Sequence, residues 1–138
     1  MMRALEDADP GTTPFDERRR RVIFEEFLTE AGSGRAWLIF EGEELAGYVI
    51  LTLGFSFEYR GRDGYIDELY LDGQFRGRGI GRKTMEFVEE EARKLGVNAI
   101  HLEATRGNVA AVELYRRVGF VDHERRLMTK KLTQQAEQ

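Results

Sequence analysis

The run Leu69-Tyr-Leu-Asp-Gly-Gln-Phe-Arg-Gly-Arg-Gly-Ile-Gly-Arg82 constrains this chain more than any other stretch. An apolar, β-prone segment enters an arginine- and glycine-dense turn, and an amphipathic stretch comes directly after it. Glycines at 77, 79 and 81 remove the Cβ from three alternate positions where the chain bends, so backbone N–H groups can converge on one point. A helix starting there aims the positive end of its dipole at the same point. Strand, turn and helix N-terminus together suit a polyphosphate.

Composition bounds the classes open to the chain. Its 138 residues are read as a single domain over 1–138 around one core, with a polar tail over 133–138. With 41% hydrophobic and 33% charged residues, it belongs with ordinary globular proteins rather than disordered ones. No apolar run approaches the roughly 20 residues of a membrane span. The start, Met1-Met-Arg-Ala-Leu-Glu-Asp-Ala-Asp-Pro10, is polar and acidic, unlike a signal peptide. Cysteine is absent, which removes disulfides, thiolate metal sites and a cysteine nucleophile, and agrees with a cytoplasmic setting.

Net charge is −4, unevenly spread. Residues 1–72 carry 8 Lys/Arg against 16 Asp/Glu, whereas residues 73–138 carry 13 against 9. Such asymmetry agrees with a polyanionic ligand on one side and a cationic one on the other, although charge also drifts along chains by chance. The four arginines at 18–21, flanked by Asp16, Glu17, Glu25 and Glu26, read as a solvated helix face rather than a nucleic-acid patch.

Periodicity predicts a helix over 14–28 with Val22, Ile23, Phe27 and Leu28 as its apolar set, ended by Gly32-Ser-Gly34. Two β-rich runs come next, 35–40 and 44–53, joined by the acidic turn Glu41-Gly-Glu-Glu. The second should continue to Tyr59 with a bulge or kink at Gly54. After a turn at 61–64 comes an antiparallel strand over 65–71. A helix over 79–95, a strand over 98–104 and a helix from Asn108 to about Val118 complete a parallel crossover and its successor. Residues 120–122 and 126–132 read as closing strands. The class is α/β with a mixed sheet.

Arg76-Gly-Arg-Gly-Ile-Gly81 is neither G-x-G-x-x-G nor a Walker A loop, because its glycines are spaced two and two. A nucleotide hydrolase or dinucleotide oxidoreductase therefore loses its main support. The turn is followed by a crossover helix, a strand, and a helix bearing Asn108, Ala111, Leu114, Tyr115, Gly119 and Phe120. In this order the chain resembles the GNAT superfamily of acetyl-coenzyme-A-dependent N-acetyltransferases. Arg76, Gly79 and Gly81 match that family's Arg-x-x-Gly-x-Gly signature, and Asn108 to Phe120 match its second motif. The resemblance is strongest over 65–120.

The resemblance implies an acyl-CoA N-acyltransferase fold: a mixed, mostly antiparallel sheet flanked by helices, with splayed central strands. Acetyl-CoA would be the co-substrate, its pyrophosphate on the amides of Arg76, Gly77, Arg78, Gly79, Ile80, Gly81 and Arg82. Leu69 and Leu71 would pair with the pantetheine arm through their backbone, and Asn108 would cap its helix, touch the cofactor, or both. No metal is implied.

Amide formation from an amine and a thioester needs a base, an oxyanion donor and a proton for the leaving thiolate. Glu68 lies where GNAT enzymes often place the base. By strand alternation its neighbour Asp67 should face the other way, leaving Glu68 in the cleft unless a surface arginine claims it. Tyr115 matches the family's proton donor to sulfur, or else packs in the core; a phenol with a reference pKa of about 10 is protonated at neutral pH. A backbone N–H near Leu71 would be the oxyanion donor. His101 beside Glu103 reads as structural, and two histidines without an acidic cluster make a metal site a poor fit.

The expected activity is acetyl transfer to a primary amine, the acceptor a small cationic one. The alternatives are a non-catalytic acyl-CoA sensor and a peptide or protein N-acetyltransferase. No nucleic-acid or membrane partner is expected. GNAT domains usually open with a β-strand, and residues 1–13 show none. A missing or displaced first strand would leave an exposed sheet edge and favour a homodimer.

Overall fold

The computed structural model describes residues 1–4 and 15–133. The expected helix start at Pro14, most of the strandless stretch 1–13 and the tail beyond 133 lie outside the described residues.

Asp16 caps helix α1 (Glu17–Thr29), its carboxylate accepting from the amides of Arg18 and Arg19 at 3.0 and 3.2 Å. Then come β1 (Gly34–Glu41), β2 (Glu44–Ser56), β3 (Gly61–Leu71), α2 (Ile80–Lys94), β4 (Ala99–Leu102) and α3 (Val109–Arg117). The sheet order is β1-β2-β3-β4. The first three strands form an antiparallel meander, and β4 joins parallel to β3 through the α2 crossover.

Strand β2 is buried from Ala46 to Leu51 because helices cover both faces of the sheet. Val49, Leu51 and Ile66 pack with Met85, Val88 and Ala92 of α2 on one face. Tyr48, Ile50 and Tyr70 pack with Phe24 and Phe27 of α1 on the other. Helix α2 ends in a tight stop. The Gly96 amide donates to Arg93 O at 3.0 Å and the Val97 amide to Ala92 O at 3.0 Å, a Schellman closure with φ +77° at Gly96.

Several expectations change. On α1, Phe27 packs on the sheet as expected, but Val22, Ile23 and Leu28 are exposed and Phe24 covers the sheet in their place. Strand β2 stops at Ser56, the turn lies at 57–60 with Arg60 at φ +63°, and 61–64 already belongs to β3. Gly54 pairs regularly with Asp63; the bulge is elsewhere, where Ile50 opposes Glu68 and Leu51 opposes Ile66. The closing strands at 120–122 and 126–132 do not form, so β4 is an edge of the described sheet. Arg125 is instead drawn to Glu58 by two hydrogen bonds of 2.7 and 2.8 Å, which holds the segment at the tip of the β2–β3 hairpin rather than in a ladder. Among the described residues no helix is long and apolar enough to cross a membrane.

Leu51 is fully buried between the sheet and α2. Leu51→Ala should destabilise the fold by about 2–5 kcal/mol in urea or guanidinium titrations, whereas an exposed control, Leu38→Ala, should change stability by less than about 1 kcal/mol.

Candidate active site

Strands β3 and β4 part company halfway. Their register runs from Asp63 opposite Ala99 to Ile66 opposite Leu102 and stops there. Among the described residues, β3 continues to Leu71 paired only with β2 on its other side. The residues from Asp67 to Leu71 thus present a strand edge to a widening fork, where an extended, amide-bearing molecule could add as a strand. Leu69 and Leu71 lie on this edge segment.

The fork leads straight into the phosphate turn. The Arg76 guanidinium donates to Leu71 O at 3.0 Å and ties the turn to the end of β3. Gly77 and Gly79 adopt φ +76° and +80°, left-handed values that a side chain would strain. Gly81 serves a different need: a Cβ there would stand 3.0 Å from the Leu114 side chain, so its absence lets α2 approach α3. Gly79 is the N-cap of α2 and offers no side-chain acceptor, and the first helical bond is Lys83 N to Gly79 O. The amides of Ile80, Gly81 and Arg82 therefore precede the intrahelical ladder.

The first turn of α2 carries no acidic residue and instead bears Arg82 and Lys83. Cations are unfavourable at that end of a helix dipole unless an anion joins them. Arg78 reaches Glu41 at 3.1 Å and lies over the Phe75 ring, and Arg82 reaches Glu86 at 3.3 Å. Both pairs are exposed, so an incoming phosphate can displace them cheaply.

The bulge decides how the two carboxylates of β3 are disposed. Ile66 and Leu69 belong to the α2-side core, three residues apart, which simple alternation forbids and one extra residue permits. Asp67 is therefore not thrown to the face opposite Glu68, as alternation predicts. It stands among charges of the α1 side: Glu68, Arg20 and Glu103. Glu68 is fully engaged there. Its side chain is 11% exposed, Oε2 pairs with Arg20 of α1, and Oε1 accepts from the Tyr48 hydroxyl at 2.8 Å. Arg20 is thus withdrawn from the solvated arginine face read for 18–21. Burial, reinforced by the Glu68 carboxylate, raises the Tyr48 phenol well above its ordinary value.

Asp67 is exposed at the point where β3 and β4 separate. Partial desolvation, then the neighbouring Glu68 and Glu103 carboxylates, raise its pKa despite the opposing pull of Arg20. Across the fork the Tyr65 hydroxyl donates to Glu103. His101 turns from Glu103 to Asp63, 3.2 Å away, and its ring lies tilted against that of Tyr59.

Helix α3 supplies the far wall. Asn108 is its N-cap, with its side chain accepting from the Ala111 amide at 3.2 Å. Tyr115 is half-buried against the α2-side core. The Gly-Phe just beyond the helix fixes its place: Gly119, at φ +103°, donates to Arg116 O at 3.1 Å, and Phe120 donates to Tyr115 O at 2.9 Å. The Phe120 ring then meets the Tyr115 ring edge-on at 6.0 Å. This is a Schellman stop with its apolar contact, and it accounts for the Tyr-x-x-x-Gly-Phe spacing.

The sequence pattern of the acetyltransferase (GNAT) family matches residues 1–120. The chain belongs to the GNAT family. It is 30% identical over 112 residues to thialysine N-epsilon-acetyltransferase of Bos taurus, covering 81% of this chain and 59% of that protein. It is 27% identical over 86 residues to spermine/spermidine N(1)-acetyltransferase of Bacillus subtilis strain 168, covering 60% and 56%. The chain thus spans less than two thirds of the length of these curated relatives. Among solved structures, an integron cassette protein from the Cole Harbour Salt Marsh metagenome superposes with a TM-score of 0.72 at 35% identity, covering 82% of this chain and 69% of that one. A predicted acetyltransferase of Clostridium acetobutylicum, solved with acetyl-CoA, superposes with a TM-score of 0.75 at 20% identity, covering 94% and 84%.

Against this GNAT frame, the turn residues 76–82, Leu69 and Leu71 gather along one fork-and-turn surface, with Leu114 of α3 beside Gly81. Pattern reading allows that a surface arginine claims Glu68 but does not name Arg20, and it misses the standing of Asp67. The first comes from 48 residues away, and the second rests on a bulge that no residue type announces.

The raised pKa of Asp67 makes its ionisation costly to the fold. That cost is absent below the unfolded carboxylate range and is incurred as pH rises through it. Asp67→Asn should therefore raise the melting temperature at pH 7 and leave it unchanged near pH 3; no gain at pH 7 would contradict the assigned environment.

Proposed function

We propose that this chain transfers acetyl from acetyl-coenzyme A to a primary amine by direct attack, and that the acceptor is a small cationic amine. The observation that carries the proposal is the continuity of the β3–β4 fork with the uncapped, cation-bearing N-terminus of α2. An extended amide arm and a pyrophosphate need those two features, in that order. The relatives named for thialysine and for spermine and spermidine support an amine acceptor. Asp67 and Glu103 at the mouth of the fork are suited to a cation.

Acetyl-coenzyme A supplies a thioester carbonyl open to attack and a sulfur that can leave. Asp67 takes the proton from the acceptor ammonium, freeing the nitrogen lone pair. Its exposure at the fork gives an acceptor ammonium access to it, and its pKa, raised by desolvation and then by Glu68, makes it a stronger base than an ordinary aspartate. Glu68, favoured as the base from sequence, has both oxygens taken by Arg20 and Tyr48, so we assign it to positioning: it docks α1 onto β3 beside Asp67. A backbone N–H near Leu71 stabilises the tetrahedral oxyanion. Tyr115 gives a proton to the departing sulfur, held in place by the stop at Gly119 and Phe120. Asn108 caps α3 and contacts the donor, and Arg76, Arg78 and Arg82 neutralise the pyrophosphate.

Thiol release from acetyl-coenzyme A, measured across a panel of polyamines, aminosugars, lysine analogues and peptides, tests this reading. Release with small cationic amines is expected. Thermal stabilisation by acetyl-coenzyme A without release from any amine would leave a binding module instead.

Among variants, Asp67→Asn should lower kcat by about 100-fold or more with KM for acetyl-coenzyme A nearly unchanged. Tyr115→Phe should lower kcat with the same KM. Glu68→Gln should reduce stability and raise the acceptor KM more than it lowers kcat. A larger kcat loss in Glu68→Gln than in Asp67→Asn would return the role of base to Glu68.

A further inference from the structure

Arg78 stands at the apex of the phosphate turn, between the left-handed backbone of Gly77 and that of Gly79. Its guanidinium lies over the buried Phe75 ring, 5.7 Å from the centroid, and Nη1 donates to Glu41 Oε2 at 3.1 Å. Glu41 is the last residue of β1 and lies 37 positions earlier in the chain. The pair therefore ties the β1–β2 hairpin to the turn that opens α2.

That hairpin closes on unfavourable charge. Its turn reads Glu41-Gly-Glu-Glu44, and Glu41 and Glu44 are cross-strand partners. Like charges directly opposite each other destabilise an antiparallel pair. Arg78 offsets this repulsion, and Glu41 in turn offsets a cation placed just ahead of the positive end of α2. The two side chains are 54% and 44% exposed, so the pair can open without burying an uncompensated charge. Glu43 of the same turn is also exposed, and it forms no ion pair among the described residues.

We propose that Glu41 is a tethered competitor for the donor's phosphates: its carboxylate holds Arg78 until a phosphate oxygen displaces it. The proposal rests on the assignment of the turn to the pyrophosphate of acetyl-coenzyme A. Such competition raises the apparent Kd of every anion that needs Arg78 by one factor, the reciprocal of the fraction of molecules in which Arg78 is open. Its effect on occupancy is unequal. A long ligand that also pairs along β3 still saturates the site, whereas an inorganic phosphate, which has only the turn, loses occupancy almost in proportion. Glu41 is thus a positioning residue that acts through Arg78 and keeps small anions from occupying the donor's place.

Calorimetric titration of coenzyme A, and separately of inorganic pyrophosphate, into the whole chain tests the competition. Exposed pairs hold only a modest excess of the closed form, so Glu41→Gln should lower Kd for both ligands by about two- to six-fold. Glu43→Gln removes the same charge from the same turn and should leave Kd nearly unchanged at physiological salt, where distant exposed charges are screened. Arg78→Gln should weaken both ligands, and adding Glu41→Gln to it should bring no further gain, a dependence that a merely structural role for Glu41 would not show. An unchanged Kd in Glu41→Gln, an equal gain in Glu43→Gln, or a gain that persists without Arg78 would each overturn the proposal. Should coenzyme A bind none of the variants, the donor assignment falls, and the pyrophosphate ratios alone decide the competition. Binding of neither ligand overturns both.

Discussion

The parting of β3 from β4 after Ile66 and Leu102 is the constraint on which the rest of the site depends. A parallel pair that stayed in register to Leu71 would spend every backbone group of β3 on its neighbours and leave no edge for a ligand. One extra residue at Asp67 accompanies the separation, since a bulge bends its strand and increases local twist. From that point β3 has β2 on one side and an opening on the other, and it delivers the chain into the glycine turn at the mouth of α2.

The same extra residue sorts the carboxylates. Glu68 turns into the α1 face, where Arg20 and Tyr48 close around it, while Asp67 stays at the opening. Two adjacent acids of similar intrinsic chemistry acquire separate surroundings, one enclosed by protein partners and one open to solvent. The donor side is built differently, from backbone rather than side chains. Gly77 and Gly79 supply left-handed backbone, Gly81 supplies close approach, and α2 begins with amides that no N-cap side chain engages.

Much of this architecture is legible in the sequence because it obeys local rules. The glycine spacing, the helix stops at Gly96 and Gly119 and the Asn108 cap each reflect backbone conformations that few residues allow, so residue type predicts them. The strand runs read at 35–40 and 44–53 are legible from β-branched and aromatic content and form as 34–41 and 44–56, although the expected continuation to Tyr59 does not. Less is legible on α1, where Phe24 joins Phe27 on the sheet in place of Val22 and Ile23, because a weakly amphipathic helix is oriented by what it covers. The 120–132 segment shows the limit from the other side. Its composition is that of strands, but a strand exists only in a ladder, and the ladder partner is not a property of the segment.

Sequence by itself determined the order of elements, the phosphate turn and the two motifs that carry the family likeness, since these rest on local backbone chemistry. Only the tertiary structure decided which acid stands at the opening and which is held, that one arginine of a charged run is drawn inward, and that β4 is an edge among the described residues. Those outcomes depend on strand register and on contacts between residues tens of positions apart, and a shift of one residue in a ladder reverses the face of every side chain beyond it.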